Sequence, residues 1–303
     1  MVLADTGNEH NITLEHIDYL HRRLNVPLDV VKSDFTQRIA NKRTYIEAHW
    51  EKDGVPRKHV DEALEVLVPT GVPFLDLCLW KGRFPSRKAQ FCTQELKSRP
   101  LTAFMFGLME EGYLIENWQG VRRDESQNRA DALKIEPTAE GWLIRRPIAF
   151  WTADMVIRFL KRRGIELNPL YMMGMGRVGC MPCINCQKAE LAEIARRFPD
   201  HIDKVREWER LVCLAAKRGW TTFFTDGALI SDKPLPGWKF EPCRDQETGL
   251  MVDQWVEPGE EVYERCRIDQ RMKWAMTTRG GKQYDLLKAG PAPICSSMYG
   301  LCE

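Results

Sequence analysis

Val2-Leu3-Ala4-Asp5-Thr6-Gly7 opens the chain, Leu14, Ile17, Leu20 and Leu24 follow, and Val26-Pro27-Leu28-Asp29-Val30-Val31 comes next. The first run is short, apolar and closed by Asp-Thr-Gly, as expected of a buried strand releasing into a loop. The four leucine and isoleucine positions recur at helical spacing, and the third run is apolar and β-branched enough for a second strand. Strand, helix, strand within about 30 residues is a βαβ unit, which predicts a parallel sheet and an α/β fold. Asp5, Thr6 and Gly7 then sit at a strand's carboxyl end, where α/β proteins bind ligands.

Outward from that unit, residues 34–50 read as a helix, and residues 52–73 as a polar excursion with turns at Asp53-Gly54 and Thr70-Gly71. Phe91-Cys92-Thr93 leads into an amphipathic stretch over residues 95–111, interrupted at Pro100 and ended by Gly112. Residues 113–118 are strand-like and run into the polar loop Gly120-Val121-Arg122-Arg123-Asp124-Glu125-Ser126, and residues 142–145 give a further strand. Thr152 is placed to cap a helix whose apolar face is Met155, Val156, Phe159 and Leu160, with Gly164 stopping it. Asn185 is placed to cap the next helix, and Asp200 another with Ile202, Val205, Trp208 and Leu211 on one stripe. These elements divide the chain into an α/β domain at residues 1–175 and a cysteine-containing, mainly helical and irregular region at residues 176–303.

A chain of 303 residues with 44% hydrophobic content supports a full core. Its 44 basic and 43 acidic residues give a net charge of +1, so only local patches such as Arg122-Arg123, Arg145-Arg146 and Lys161-Arg162-Arg163 bear on a nucleic-acid partner. Neither a signal-peptide pattern nor a membrane-length apolar run is present, which predicts a cytoplasmic protein. In that compartment clustered cysteines point to metal or redox chemistry rather than disulfides, while scattered ones such as Cys78 and Cys213 read as small buried hydrophobes.

Three of the ten cysteines, Cys180, Cys183 and Cys186, are packed at C-x2-C-x2-C spacing, and beyond residue 176 the sole histidine is His201. A site there is nearly all thiolate, which narrows the metal to zinc or an iron–sulfur cluster. Cys295 and Cys302, with six residues between them, suit a cluster better than the two close pairs of structural zinc. A two-plus-two set of Cys180, Cys183, Cys295 and Cys302 is expected, because an N-cap at Asn185 puts Cys186 in the first helical turn. A three-plus-one set with Cys186 is the alternative, and a reactive Cys186 thiol at a helix N-terminus a minor one.

Guanidinium groups of Arg122 and Arg129 with Ser126 and the backbone of Gly120 favour an anionic nucleotide. Each motif is weak alone, yet their order is informative. Asp5-Thr6-Gly7-Asn8-Glu9-His10, Phe91-Cys92-Thr93 with Lys97 and Pro100, Gly120-Val121-Arg122 with Glu125-Ser126 and Arg129, Arg146-Pro147-Ile148 with Trp151, Asn168-Pro169-Leu170-Tyr171 and Arg177-Val178-Gly179-Cys180 together resemble the phosphoadenosine phosphosulfate reductase family of PP-loop proteins. The resemblance covers roughly residues 1–200. It implies an adenine-nucleotide α-hydrolase-like fold, a twisted parallel sheet with helices on both faces. It also implies that ATP or a sulfated adenine nucleotide binds near Asp5, Thr6, Gly7, Gly120, Arg122, Glu125, Ser126 and Arg129, with Lys97 and Arg122 in catalytic roles.

Two departures qualify the expectation. Family members carry a Ser-Gly-Gly-Lys-Asp-Ser phosphate loop just before the Asp-Thr-Gly strand, and this sequence starts at that strand; Arg279-Gly280-Gly281-Lys282 lacks the preceding strand and is no substitute. The Glu-Cys-Gly motif of assimilatory members is also absent, and the cysteine-bearing end resembles phage-type and DNA-phosphorothioation-type relatives. The expected activity is therefore iron–sulfur-assisted sulfur transfer or reduction on a nucleotide, with a [4Fe–4S] cluster and a sulfur-donor protein or nucleic acid as partner. A zinc-stabilised module binding nucleic acid or protein is the contrasting expectation, and an inactive remnant with an exposed sheet edge the third.

Overall fold

The computed structural model describes residues 1–224, 239–244, 251–256 and 267–277. Two compact units are present: Met1–Ser33 with Thr93–Met181, and Asp34–Cys92 with the described part of Pro182–Gln283.

The first unit is built on the expected βαβ crossover. Strand β1 (Val2–Asp5) pairs in parallel with β2 (Asp29–Lys32), Val2 opposite Asp29 and Asp5 opposite Lys32, and helix α1 (Asn11–Leu24) joins them. His10 caps α1, its Nδ1 accepting the Ile12 N–H at 3.1 Å, and Asn25 ends it in the left-handed conformation. A single turn α5 (Phe91–Thr93) continues into a π-helical segment, Gln94–Ser98, and then α6 (Arg99–Glu110). Pro100 was expected to interrupt this stretch, and instead the helix runs through it. Proline has no N–H to donate, and its ring would clash with the carbonyl four residues back. A π turn just before it, closed by Arg99 N–H to the Gln94 carbonyl, accommodates both demands. This segment and α6 pack against β1.

Strands β3 (Glu116–Trp118) and β5 (Leu143–Arg145) are parallel, and β4 (Ile135–Pro137) adds to β5 antiparallel. The described strands therefore form small separate sheets, two of which contain parallel pairs, in an α/β arrangement. Helix α7 (Ala153–Arg162) is capped as expected, Thr152 Oγ1 accepting the Met155 N–H at 3.3 Å. Its buried residue is Ile157, whereas Met155, assigned to the apolar face from spacing, is exposed. Gly164 leaves the helix at φ 62°, and a short α8 (Pro169–Met172) follows the Asn168 cap.

The second unit is helical. The expected polar excursion at residues 52–73 holds α3 (Arg57–Val66), whose Val60 and Ala63 are buried; three-residue spacing between two small apolar residues was too sparse a signal. α2 (Thr36–His49) packs on α4 (Pro73–Lys81), and α10 (Pro199–Leu214) packs on α3, α4, α9 (Lys188–Arg197) and α11 (Ile268–Ala275). Stacked Phe74 and Trp208, with ring centroids 5.5 Å apart, and Phe84 against Phe223 at 5.3 Å form its aromatic core. A hairpin of β6 (Lys239–Arg244) and β7 (Met251–Val256) completes the described elements. No helix among the described residues is long and apolar enough to cross a membrane.

Candidate functional site

Because β3 and β5 are parallel, the loops leaving their carboxyl ends emerge side by side. Three hydrogen bonds tie them: Gln119 N–H to the Arg145 carbonyl and Arg123 N–H to the Ala149 carbonyl, each 2.9 Å, and Arg146 Nε to Gln119 Oε1 at 3.2 Å. Beyond them lies a cavity of about 250 Å³. Gly120, Arg122 and Glu125 from the first loop and Ile148 from the second line it, opposite Ala153, Val156, Ile157 and Leu160 of α7, with Leu167 and Tyr171 completing the wall.

Arg122 is buried, at 8% exposure. Its Nη1 lies 2.8 Å from Asp124 Oδ1 and its Nε 3.4 Å from Glu125 Oε1, and Arg129 pairs with the other Glu125 oxygen. Asp124 Oδ2 also accepts the Ala153 N–H at 3.2 Å, joining the loop to the start of α7. A burial of this depth separates Arg122 from an ordinary surface ion pair. The structure thus brings Gly120, Arg122 and Glu125 to one cavity and Arg129 to its rim through Glu125. Ser126 is extended and exposed, outside the lining.

At the end of β1, Asp5 Oδ1 accepts the Gly7 N–H at 2.8 Å, and Gly7 takes φ 73°, a conformation glycine adopts without strain. Asp5 Oδ2 pairs with Lys32 at 2.7 Å. Buried Thr6 donates Oγ1–H to Glu9 Oε1 at 2.7 Å, and its oxygen lies 3.5 Å from Cys180 Sγ. An isolated antiparallel bridge pairs Glu9 with Cys180, and Met181 N–H bonds the Asn8 carbonyl at 2.7 Å. Sequence reasoning did not assign Glu9 a role; its place two residues after Gly7 gave no sign that it would face a cysteine over 170 positions away. Lys97 lies half-buried in the π-helical segment packed on β1, and π turns recur at functional sites.

The cysteines fall on both units. Cys180 belongs to the first, Cys183 and Cys186 to the second. Asn185 does not cap a helix: α9 begins at Lys188 with Gln187 before it, so the reason for setting Cys186 aside as a first-turn residue does not hold. Asn185 instead sits in a tight turn, in which the Cys186 N–H bonds the Cys183 carbonyl at 2.8 Å and the Asn185 N–H points at Cys183 Sγ from 3.5 Å. Sulfur is the donor type that zinc and iron–sulfur clusters take, so the two cysteines of this turn are of a kind that fits such a group. Cys186 is buried, its Sγ 3.5 Å from the Gln187 carbonyl. Among the described residues no three metal-ligating side chains gather into a group; Cys295 and Cys302 lie outside the described residues. Cys78 is fully buried, and burial pushes its thiol well above the usual range, as befits a core residue.

An α/β unit with a cavity beyond the carboxyl ends of parallel strands has its opening where folds of this class hold their ligands. The family model for the phosphoadenosine phosphosulfate reductase domain matches residues 1–186, and the chain belongs to that family. It is 44% identical to an uncharacterized 37.8 kDa protein of Escherichia phage 186, over 100% of this chain and 88% of the phage protein. It is also 36% identical to adenosine 5'-phosphosulfate reductase of Rhizobium tropici, over 29% of this chain and 49% of that enzyme. An uncharacterized protein of Methanocaldococcus jannaschii is 30% identical over 42% of this chain and 26% of its own length.

Proposed function

We propose that this chain binds ATP or a sulfated adenine nucleotide in its first unit and takes part in sulfur transfer or reduction, with a [4Fe–4S] cluster on Cys180 and Cys183, completed by Cys295 and Cys302 or, in the three-plus-one set, by Cys186 and one distant cysteine. The observation that carries the reading is the meeting of Gly120, Arg122 and Glu125, all within the matched family domain, at one cavity. Arg129, half-exposed on Glu125, and Lys97 on the element beside β1 supply cations for the nucleotide's anionic groups. Arg122, engaged with Asp124 and Glu125, holds the loop that forms the cavity wall. A cluster on the cysteines would supply electron transfer beside the sulfur chemistry. The chain's own part is to hold Cys180 against the Asp5–Gly7 loop through Glu9 and Thr6.

Calorimetric titration with AMP, ATP and adenosine 5'-phosphosulfate tests the nucleotide, and anaerobic purification tests the cluster. A brown protein that bleaches with dithionite is expected. A colourless protein with stoichiometric zinc would sink the cluster, and no nucleotide binding would sink the reading as a whole.

A second reading, a module that binds nucleic acid and is held by zinc, has one observation in its favour. Lys81, Arg83, Arg87 and Lys88 fall in residues 77–94, a stretch without an acid. In the same unit Arg38 stacks on Trp80 at 4.6 Å, Lys81 on Trp80 at 3.8 Å and Arg83 on Phe91 at 5.4 Å. Cations beside aromatic rings suit single-stranded nucleic acid. Salt-dependent oligonucleotide binding, indifferent to adenine nucleotides, would favour it over the first reading.

A further inference from the structure

We infer that the outer face of the sheet formed by β3, β5 and β4 is an interface for a second copy of this chain, independently of the nucleotide reading. A sheet with one solvated face normally turns its polar residues outward, and this one does the reverse. Side chains alternate along a strand, and the pairing register puts Asn117, Glu136 and Ile144, all half-buried, on the inner face. Trp118, Ile135 and Leu143 lie on the outer face, together with Glu116 and Arg145. Trp118 is 69% exposed, Ile135 and Leu143 are exposed beside it, and Leu114, two residues before Glu116, is fully exposed. Single exposed leucines are ordinary, but apolar residues gathered on one face mark an interaction site.

Charge and symmetry select the partner. The strands' outer face carries one anion and one cation, and they pair: Arg145 Nη2 lies 3.2 Å from Glu116 Oε2, and Trp118 Nε1 donates to the same carboxylate. Nucleic acid, an acidic peptide or an anionic membrane would find no uncompensated cation on this face, whereas a second copy brings the complementary pair. In the register that sets Glu116 beside Leu143 and Trp118 beside Arg145, these four residues mark the corners of a near-rectangle. A two-fold axis along its Trp118–Leu143 diagonal lays Trp118 on Trp118, Leu143 on Leu143, and Glu116 on Arg145 in both directions, as an isologous contact requires. With strands about 4.8 Å apart and alternate residues about 6.6 Å apart, that axis crosses the two sheets at roughly 70°, near the orthogonal class of sheet packing. Three strands by five residues cover roughly 14 Å by 17 Å, well short of the ~800 Å² per partner of a standard interface, so the association is a weak one.

The test is sedimentation velocity of the full chain from about 1 to about 300 µM, where a dimer with a dissociation constant on the order of 10–100 µM is expected. Trp118→Glu should weaken it about tenfold or more. Glu116→Arg and Arg145→Glu each set like charges across the axis, and each should weaken self-association about fivefold or more. Mixed in equal amounts, these two variants present a cationic face to an anionic one and should pair at least as tightly as the natural chain does with itself. A merely structural role of the Glu116–Arg145 pair would give no such rescue; if either charge variant fails to fold, the natural chain and Trp118→Glu decide. A natural chain that stays monomeric to about 300 µM, a dimer that Trp118→Glu leaves intact, or a mixture no tighter than its separate components overturns the inference and leaves the nucleotide reading standing.

Discussion

Glu209 offers a quantitative check on the second unit. It lies on α10 at 4% exposure, with Oε1 accepting the Phe223 N–H at 2.8 Å and Oε2 the Ile268 N–H at 3.0 Å, so one carboxyl joins α10 to the segment at Phe223 and to α11. Burial pushes its pKa from 4.5 up to about 7, the two N–H donors opposing the rise. Between those two values the folded state holds the proton more tightly than the unfolded chain. The group's contribution is thus fully present below pH 4.5 and lost as pH rises through about 7. A gap of that size corresponds to an upper bound of about 3 kcal/mol, each unit being worth about 1.4 kcal/mol. Glu209→Gln keeps the shape and cannot titrate. Urea unfolding of both proteins at several values from pH 4.5 to 8 should show the natural protein losing stability relative to the glutamine variant as pH rises, by on the order of 2–3 kcal/mol across the series. A difference that stays flat, or grows in favour of the natural protein with rising pH, would refute the reasoning, because it would mean that the N–H donors outweigh desolvation.

Lys42 runs the opposite way. Burial lowers it to about 8 although Nζ donates to the Leu79 and Ala215 carbonyls at 2.7 and 2.8 Å, so stability should climb as pH rises from about 8 toward 10.5 and the climb should vanish in Lys42→Met, read by thermal unfolding. Arg122→Met takes the cation from Asp124 while Glu125 keeps Arg129, and should cost about 2 kcal/mol at neutral pH, below the ~3–5 kcal/mol of a fully buried broken pair, with most of the loss recovered in Arg122→Met/Asp124→Asn. Thr152→Ala removes the α7 cap and should cost about 1 kcal/mol in urea unfolding, with Thr152→Ser restoring most of it.

The βαβ opening was legible because its strands and helix carry strong, local patterns: Val2 to Ala4, the leucine spacing of α1, and the β-branched residues before Ser33. Helix α3 was hidden because tertiary packing onto α10, not its own pattern, buries Val60 and Ala63. β4 is three residues long and ends at a proline, so it carries no strand signal before β5 exists to pair with it. Pro100 misled for a related reason: the residue forbids an ordinary helical hydrogen bond, but a π turn is a second way to obey that prohibition.

The site divides along the same line. Gly120, Arg122 and Glu125 were legible because arginine, acid and glycine at a strand end form a local chemical statement. What the loop does with them was not, since whether a guanidinium awaits a ligand or is already satisfied depends on how the chain turns. Here the turn from Arg122 to Glu125 folds two acids back onto the arginine, and Asp124 goes on to bond the Ala153 N–H at the start of α7. The apolar face of α7 lines the same cavity, and Val156 and Leu160 were visible in the sequence only as one side of an amphipathic helix. The pair Glu9 and Cys180 makes the same point at greater range, because a bridge between residues so far apart in the chain exists only after β1 and the Gly179-Cys180 segment meet. Thr6, hydrogen-bonded to Glu9 and adjacent to Cys180, then turns an Asp-Thr-Gly loop that reads as a ligand contact into a support for the sulfur as well.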